Sequence, residues 1–124
     1  MIIRPASRKD CQAIYSLYQS EKWLSFTEEK VRSLFSTNLS HYLVLEEDQK
    51  ILGFACYLTD EVLTTFLAEI IIDKSHRRKG LGQQLIEEIH KKYPLTRIEL
   101  ISEADGFYRS ISFKPVGTGF RKSE

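Results

Sequence analysis

Hydrophobic positions recur along this chain with two different periods, and the changes of period mark its elements. Ile2 and Ile3 form a short apolar run that Pro5 closes, predicting a first strand. Ser7 and Asp10 then stand in the S-x-x-D arrangement that serves orphan amides at a helix start, and Ala13, Ile14, Leu17 and Tyr18 follow at helical spacing. That helix is expected to end near Ser20. Thr27, followed by Glu28 and Glu29, predicts a second helix whose hydroxyl cap and acidic first turn suit the helix dipole, with Val31, Leu34 and Phe35 as its apolar face. The stretch "HYLVLEEDQKILGFACYL" reads as an antiparallel hairpin turning at Asp48.

"TTFLAEIIID" is apolar almost without alternation, the pattern of a strand covered on both faces. From Gly82 onward Leu85, Ile86, Ile89 and Tyr93 hold one stripe of a helix that Pro94 ends, and Glu87 to Lys91 and Glu88 to Lys92 are supporting pairs on its wet face. "RIELIS" predicts another strand, "ADGFYRSI" a short helix, and "FKPVGTGF" a closing strand or hairpin. The order β-α-α-β-β-β-α-β-α-β implies an α/β (α+β) fold, a mixed central sheet flanked by helices, with residues 64–102 supplying a strand-helix-strand crossover.

At 124 residues, with neither repeats nor linker-like composition, one domain spanning residues 1–124 is expected. A formal net charge of +1 gives no global attraction to nucleic acid or to a membrane surface, so any basic function must be local. Cys11 and Cys56 lack the short paired spacings of zinc or dithiol sites, and no metal is expected. The opening residues lack a signal-peptide pattern and the apolar runs are too short to span a bilayer, so a cytoplasmic location is expected.

The local basic feature is "DKSHRRKGLGQQLIEEI". The first amides of a helix have no internal partners and sit at its positive pole, so a strand-turn-helix junction favours anions. Gly80 and Gly82 remove side chains that would keep an anion away, and Arg77, Arg78 and Lys79 add charge suited to a pyrophosphate. A P-loop is excluded because Gln83 and Gln84 follow Gly82, and a dinucleotide fingerprint because Leu85 occupies its third glycine position.

What remains is R-x-x-G-x-G between a buried strand and an amphipathic helix, and here the chain resembles the GNAT superfamily of acetyl-CoA-dependent N-acetyltransferases. "IIRPASRKDCQAI" is similar to that family's first strand and helix, "ILGFACYL" to its third strand and "FYRSISF" to its FY-x-x-x-GF motif. The resemblance implies that the amides of Arg78, Lys79, Gly80, Leu81, Gly82 and Gln83, beside Arg77, hold the CoA pyrophosphate, and that the backbone of Ile70, Ile71 and Ile72 pairs with the pantetheine arm. It also implies direct attack of an amine on the thioester, an amide near Ile71 or Ile72 steadying the oxyanion, and Tyr108 protonating the departing sulfur. The acceptor would be a primary amine, of a small molecule or of a protein.

The base is sought among acids. Glu69 interrupts "FLAEIII", where burial would raise its pKa, with Glu99 second and Glu103 third. Lys74 stands where many members have proline, Ser112 where the motif has glycine, and an asparagine often found before the last helix is absent. An acyl-CoA-binding regulatory module without turnover is the alternative, and a homodimer the default assembly. Each residue also has a plainer reading: Tyr108 as core, Glu69 as an acid paired with an arginine such as Arg97, and Cys56 as a strand hydrophobe. Trp23 and Phe26 line an acceptor pocket or pack as core, while the basic run and His76 would face solvent.

Overall fold

The computed structural model describes residues 1–123. Five strands form one sheet: β1 (Ile2–Pro5), β2 (His41–Glu47), β3 (Lys50–Thr59), β4 (Thr64–Ile72) and β5 (Arg97–Glu99), ordered β1-β2-β3-β4-β5. The first four are mutually antiparallel, and β5 joins β4 in parallel, as a crossover through a helix requires. The helices are α1 (Cys11–Ser20), α2 (Glu28–Leu34), α3 (Leu81–Lys92) and α4 (Asp105–Ser110). Among the described residues no helix is long and apolar enough to cross a membrane.

Local chemistry explains most boundaries. Asp10 accepts from the Ser7 amide at 2.8 Å, closing a 3₁₀ turn that leads into α1, and the Thr27 hydroxyl accepts from the Lys30 amide at 3.2 Å to start α2. The β2–β3 hairpin turns through Asp48 and Gln49, both at positive φ, the twist a two-residue hairpin favours. Asp60 Oδ1 collects the amides of Val62, Leu63 and Thr64 at 2.8–3.0 Å between β3 and β4.

Two hydrophobic clusters sandwich the sheet. On one face Ile14, Leu17 and Tyr18 of α1 and Val31 of α2 pack on Tyr42, Val44, Phe54, Cys56 and Ile71. On the other, Leu81, Leu85, Ile86 and Ile89 of α3 cover Leu43, Leu45, Ala55, Tyr57 and Leu67, with Tyr108, Ile111 and Phe113 at the margin. Burying such side chains on both faces is the main stabilising term.

Two expectations change. The closing strand is not formed: residues 113–123 run as irregular chain, because Pro115, Gly117 and Gly119 interrupt the stretch and deprive it of both donors and stiff side chains. β5 is shorter than "RIELIS", covering three residues, and pairs with β4 only through Thr64–Arg97, Thr65–Ile98 and Phe66–Glu99. A ladder of hydroxyls, Thr59 to Thr65 and Thr65 to Thr96, each at 2.8 Å, pins the start of that pairing.

Candidate active site

Beyond Phe66 and Glu99 the two parallel strands separate, and the β5-facing edge of residues 67–72 has no strand partner among the described residues. An extended molecule carrying amides could add to this edge. At its end the Ile72 carbonyl is already taken by Arg77 Nε at 2.9 Å.

The turn into α3 supplies donors. The first helical bond runs from the Gln84 amide to the Gly80 carbonyl at 3.1 Å, and among the described residues the amides of residues 78–83 meet no acceptor. Arg78 and Gly80 both have left-handed backbone, φ 65 and 76; a side chain at Gly80 would meet open space, so glycine there relieves backbone strain rather than a clash. Arg78, Lys79 and Gln83 are exposed, whereas Leu81 is buried and offers only its amide.

Arg77 faces elsewhere. Its guanidinium pairs with Glu21 at the end of α1 and with the Ile72 carbonyl, so it ties β4 to α1. His76 donates through Nδ1 to Asp73 Oδ2 at 2.9 Å, part of the turn that caps β4. The triple basic run therefore divides into one structural arginine and two cations that pair with no acid among the described residues.

Gly82 serves packing as much as anion approach. A β-carbon there would stand 3.2 Å from Phe107 Cζ and 3.7 Å from Ile70 Cδ1. Its bare surface lets α4 lie on the first turn of α3 above β4, bringing the open amides, the unpaired strand edge and Tyr108 into one region.

Tyr108 is positioned by the way α4 ends. The Ser112 amide donates to the Arg109 carbonyl at 3.1 Å and the Phe113 amide to the Tyr108 carbonyl at 2.9 Å, with Ser112 at φ 76. This is a Schellman closure, and its usual hydrophobic contact is the edge-on packing of Tyr108 and Phe113 at 5.5 Å between ring centroids. The spacing of FY-x-x-x-GF is thus the spacing of a helix end, and Ser112 adopts the glycine conformation. Burial raises the Tyr108 phenol above its usual range.

Glu69 owes its direction to a β-bulge. The pairing steps from Cys56–Glu69 to Tyr57–Leu67, which leaves Ala68 as an extra residue. Ala68 and Glu69 consequently both face α1, although strict alternation would have sent Glu69 to the α3 side with Leu67. There its Oε1 accepts from the Tyr18 hydroxyl at 2.6 Å, and the Tyr42 hydroxyl lies 3.0 Å from that of Tyr18. Burial raises the Glu69 pKa, while Tyr18 and the Cys56 thiol across the ladder oppose the rise. The carboxylate remains half-buried, within reach of solvent.

The plainer reading of Glu69, an acid paired with an arginine, is not met: among the described residues no arginine pairs with it. Arg97 instead pairs with Glu99 at 3.6 Å and with the Thr64 hydroxyl at 3.3 Å. Glu99 sits at the last paired position of β5 and lines an open groove of about 1000 Å³ between α3 and the C-terminal segment, and Glu103 is exposed before α4. Phe26 stacks on Tyr18 at 4.0 Å with Trp23 tilted beside it at 6.3 Å, so both half-buried rings roof the Tyr18–Glu69 pair. Cys56 is buried and its thiol is held protonated by burial and by the Glu69 charge, matching its plain reading. Tyr18 and Tyr42 carry no sequence signal as partners of Glu69, because helical and strand periodicity mark them only as core.

A splayed parallel strand pair, with an open helix N-terminus at its mouth, suits an extended ligand that carries amides and an anionic end. The profile of the acetyltransferase (GNAT) domain matches residues 38–115, and the chain belongs to that family. Among curated proteins none matches it significantly in sequence. Solved structures share the fold at low identity. A ribosomal-protein-alanine N-acetyltransferase from Brucella melitensis biovar Abortus 2308 superposes with a TM-score of 0.82 at 14% identity, over 100% of each chain. An aminoglycoside 6'-N-acetyltransferase from Acinetobacter haemolyticus gives 0.76 at 18% identity, over 100% of this chain and 98% of its own. An aminoglycoside N-acetyltransferase solved with CoA gives 0.80 at 13% identity, over 99% and 93%.

Proposed function

We propose that this protein transfers the acetyl group of acetyl-CoA to a primary amine. The observation that carries the reading is the convergence at Gly82 of three parts: the open amides before α3, the unpaired edge of β4, and the helix bearing Tyr108. Family membership supports it, as does a structural relative that holds CoA. The amides of residues 78–83, with Arg78 and Lys79, would take the pyrophosphate. The edge of β4 short of Ile72 would pair with the pantetheine arm. Arg77 would contribute by fixing the turn rather than by touching phosphate.

On this reading the thioester lies in the gap between β4 and β5. The amine approaches from the α1 face and loses a proton to Glu69, whose raised pKa makes it a better base than a free carboxylate. The amine nitrogen bonds to the thioester carbon, and a backbone amide of β4 near Ile71 steadies the oxyanion. Collapse breaks the carbon–sulfur bond; Tyr108, kept as a neutral phenol by burial, protonates the thiolate, and the second proton of the attacking nitrogen passes through solvent to the phenolate, leaving a neutral amide and a neutral tyrosine. Glu69 is preferred to Glu99 because among the described residues no cation pairs with it, whereas Arg97 pairs with Glu99. The acceptor class follows the amine substrates in the names of the relatives, and Trp23 and Phe26 would wall its site.

The test is release of free CoA thiol across a panel of amines. Glu69→Gln should lower kcat/KM by roughly 10²- to 10⁴-fold, the usual range for a lost general base. Tyr108→Phe should lower kcat by about 10²-fold and leave acetyl-CoA affinity nearly unchanged. Acetyl-CoA binding with no turnover on any amine would replace this reading with that of a regulatory acyl-CoA module.

A further inference from the structure

The Tyr18 hydroxyl meets the Glu69 carboxylate, the Cys56 thiol lies across the ladder from it and Tyr42 stands behind Tyr18, and the acetyl-transfer steps above use none of the three. The Tyr18 hydroxyl has a single proton, and at 2.6 Å from Glu69 Oε1 that proton is committed to the carboxylate. The bond between the two tyrosines therefore has a fixed polarity: Tyr42 donates to Tyr18 over 3.0 Å, and Tyr18 donates to Glu69. Such a directed chain strengthens its last bond, because each donor polarises the next. Both rings are buried in the α1-side cluster, Tyr18 completely and Tyr42 at 6% exposure, so water does not compete with the chain.

The rings are themselves fixed. Phe26 stacks on Tyr18 at 4.0 Å, Phe54 packs against it at 4.9 Å, and Phe35 stacks on Tyr42 at 5.0 Å. Tyr18 lies 51 residues from Glu69 in sequence, and the bulge at Ala68 is what turns the carboxylate toward it. The titratable groups facing Glu69 are Tyr18 from α1, Tyr42 from β2 and Cys56 from β3, and among the described residues no lysine, arginine or histidine acts on it. A carboxylate that takes and returns a proton in each turnover needs a donor that steadies its anion without neutralising it, and a neutral hydroxyl does this where an arginine would hold the anion too firmly.

We propose that Tyr18 is a positioning residue for acetyl transfer, its hydroxyl, backed by Tyr42, holding Glu69 in one orientation and setting how readily it takes a proton. This rests on the reading of Glu69 as the base. Tyr18 opposes the effect of burial, so removing its hydroxyl leaves only the Cys56 thiol against burial and makes the carboxylate more basic.

The experiment is a pair of titrations of the full chain. Carboxyl carbon chemical shifts follow the Glu69 midpoint by NMR, and kcat/KM with acetyl-CoA and the best amine is measured against pH. Tyr18→Phe, which keeps the ring stacks, should raise the Glu69 midpoint by roughly one pH unit. The acid limb of kcat/KM should move up with it, and Tyr42→Phe should move both in the same direction by less. The double variant Tyr18→Phe with Tyr42→Phe removes both hydroxyls and leaves no tyrosine hydroxyl without its partner, so it serves if a single variant folds poorly. A loss of thermal stability with neither midpoint nor limb displaced would overturn the proposal and leave Tyr18 a packing residue. Glu69→Gln separates the two levels: if the acid limb persists without Glu69, the base reading fails and this inference fails with it. If the limb vanishes while Tyr18→Phe leaves it in place, only the role of Tyr18 is refuted.

Discussion

Asp10 and Glu69 are both acids withdrawn from solvent, yet their surroundings move them in opposite directions. Asp10 accepts two bonds from the Arg4 guanidinium at 2.8 and 3.0 Å and one from the Ser7 amide at 2.8 Å, and these hold its carboxyl below the usual range. Glu69 has a hydroxyl and a thiol but no cation, so burial prevails and its pKa rises. The consequences for stability follow with opposite signs. For Asp10 the unfolded chain binds the proton first, so its stabilisation is whole above the unfolded pKa of about 3.9 and is lost as pH falls through the lower folded value. Asp10→Asn should cost about 1.5–3 kcal/mol at neutral pH, and less as pH drops below about 4. For Glu69 the folded state binds the proton first, so stability declines as pH rises from about 4.3 toward the raised folded value. Glu69→Gln should therefore gain on the wild type in urea unfolding as pH is raised across that window, even as it loses activity. A fixed difference at every pH would show that Glu69 is not perturbed.

At the scale of elements, α4 shows how a sequence motif becomes geometry. Ser112 holds a left-handed backbone that glycine adopts freely, while its amide and that of Phe113 close the helix on Arg109 and Tyr108. Ser112→Gly should raise unfolding stability by about 1 kcal/mol, the approximate strain of a left-handed L-residue, and leave the Tyr108 and Phe113 rings in place. A loss of stability would mean that the serine side chain holds the turn. Elements that depend on near neighbours were legible in the sequence: the Ser7–Asp10 turn, the Thr27 cap, the Asp48 hairpin and the stripe of α3. So was the glycine turn before α3, because a helix N-terminus advertises itself locally. Partnerships across long separations were not. The division of labour between Arg77 and its two neighbours depends on Glu21, 56 residues away in sequence, and the direction of Glu69 depends on a bulge that no alternation of residues announces. "FKPVGTGF" misled because its Phe, Val and Thr have strand character while Pro115 and its two glycines remove what a ladder needs.

Over the whole molecule, β4 is the shared wall of two chemistries. Its α3 side faces the open amides and Tyr108, its α1 side presents Glu69, and the gap beside β5 joins the two faces. Stability is distributed differently. The central strands β2, β3 and β4 carry both clusters, whereas residues 115–123 are exposed, with Val116 at 77% and Phe120 at 91% exposure, and touch the body where Gly119 approaches Ile101. Such a segment buries too little apolar surface to offset the entropy of fixing it. Removing all residues after Lys114 keeps Phe113 against Tyr108, so the unfolding free energy should change by no more than about 0.5 kcal/mol and the urea m-value should barely move. Amides of β3 and β4 should keep their slow hydrogen exchange in the shortened chain. A fall of several kcal/mol, or exchange accelerating in β5 and α4, would mean that the segment packs on the open groove beside α3 and acts as part of the fold.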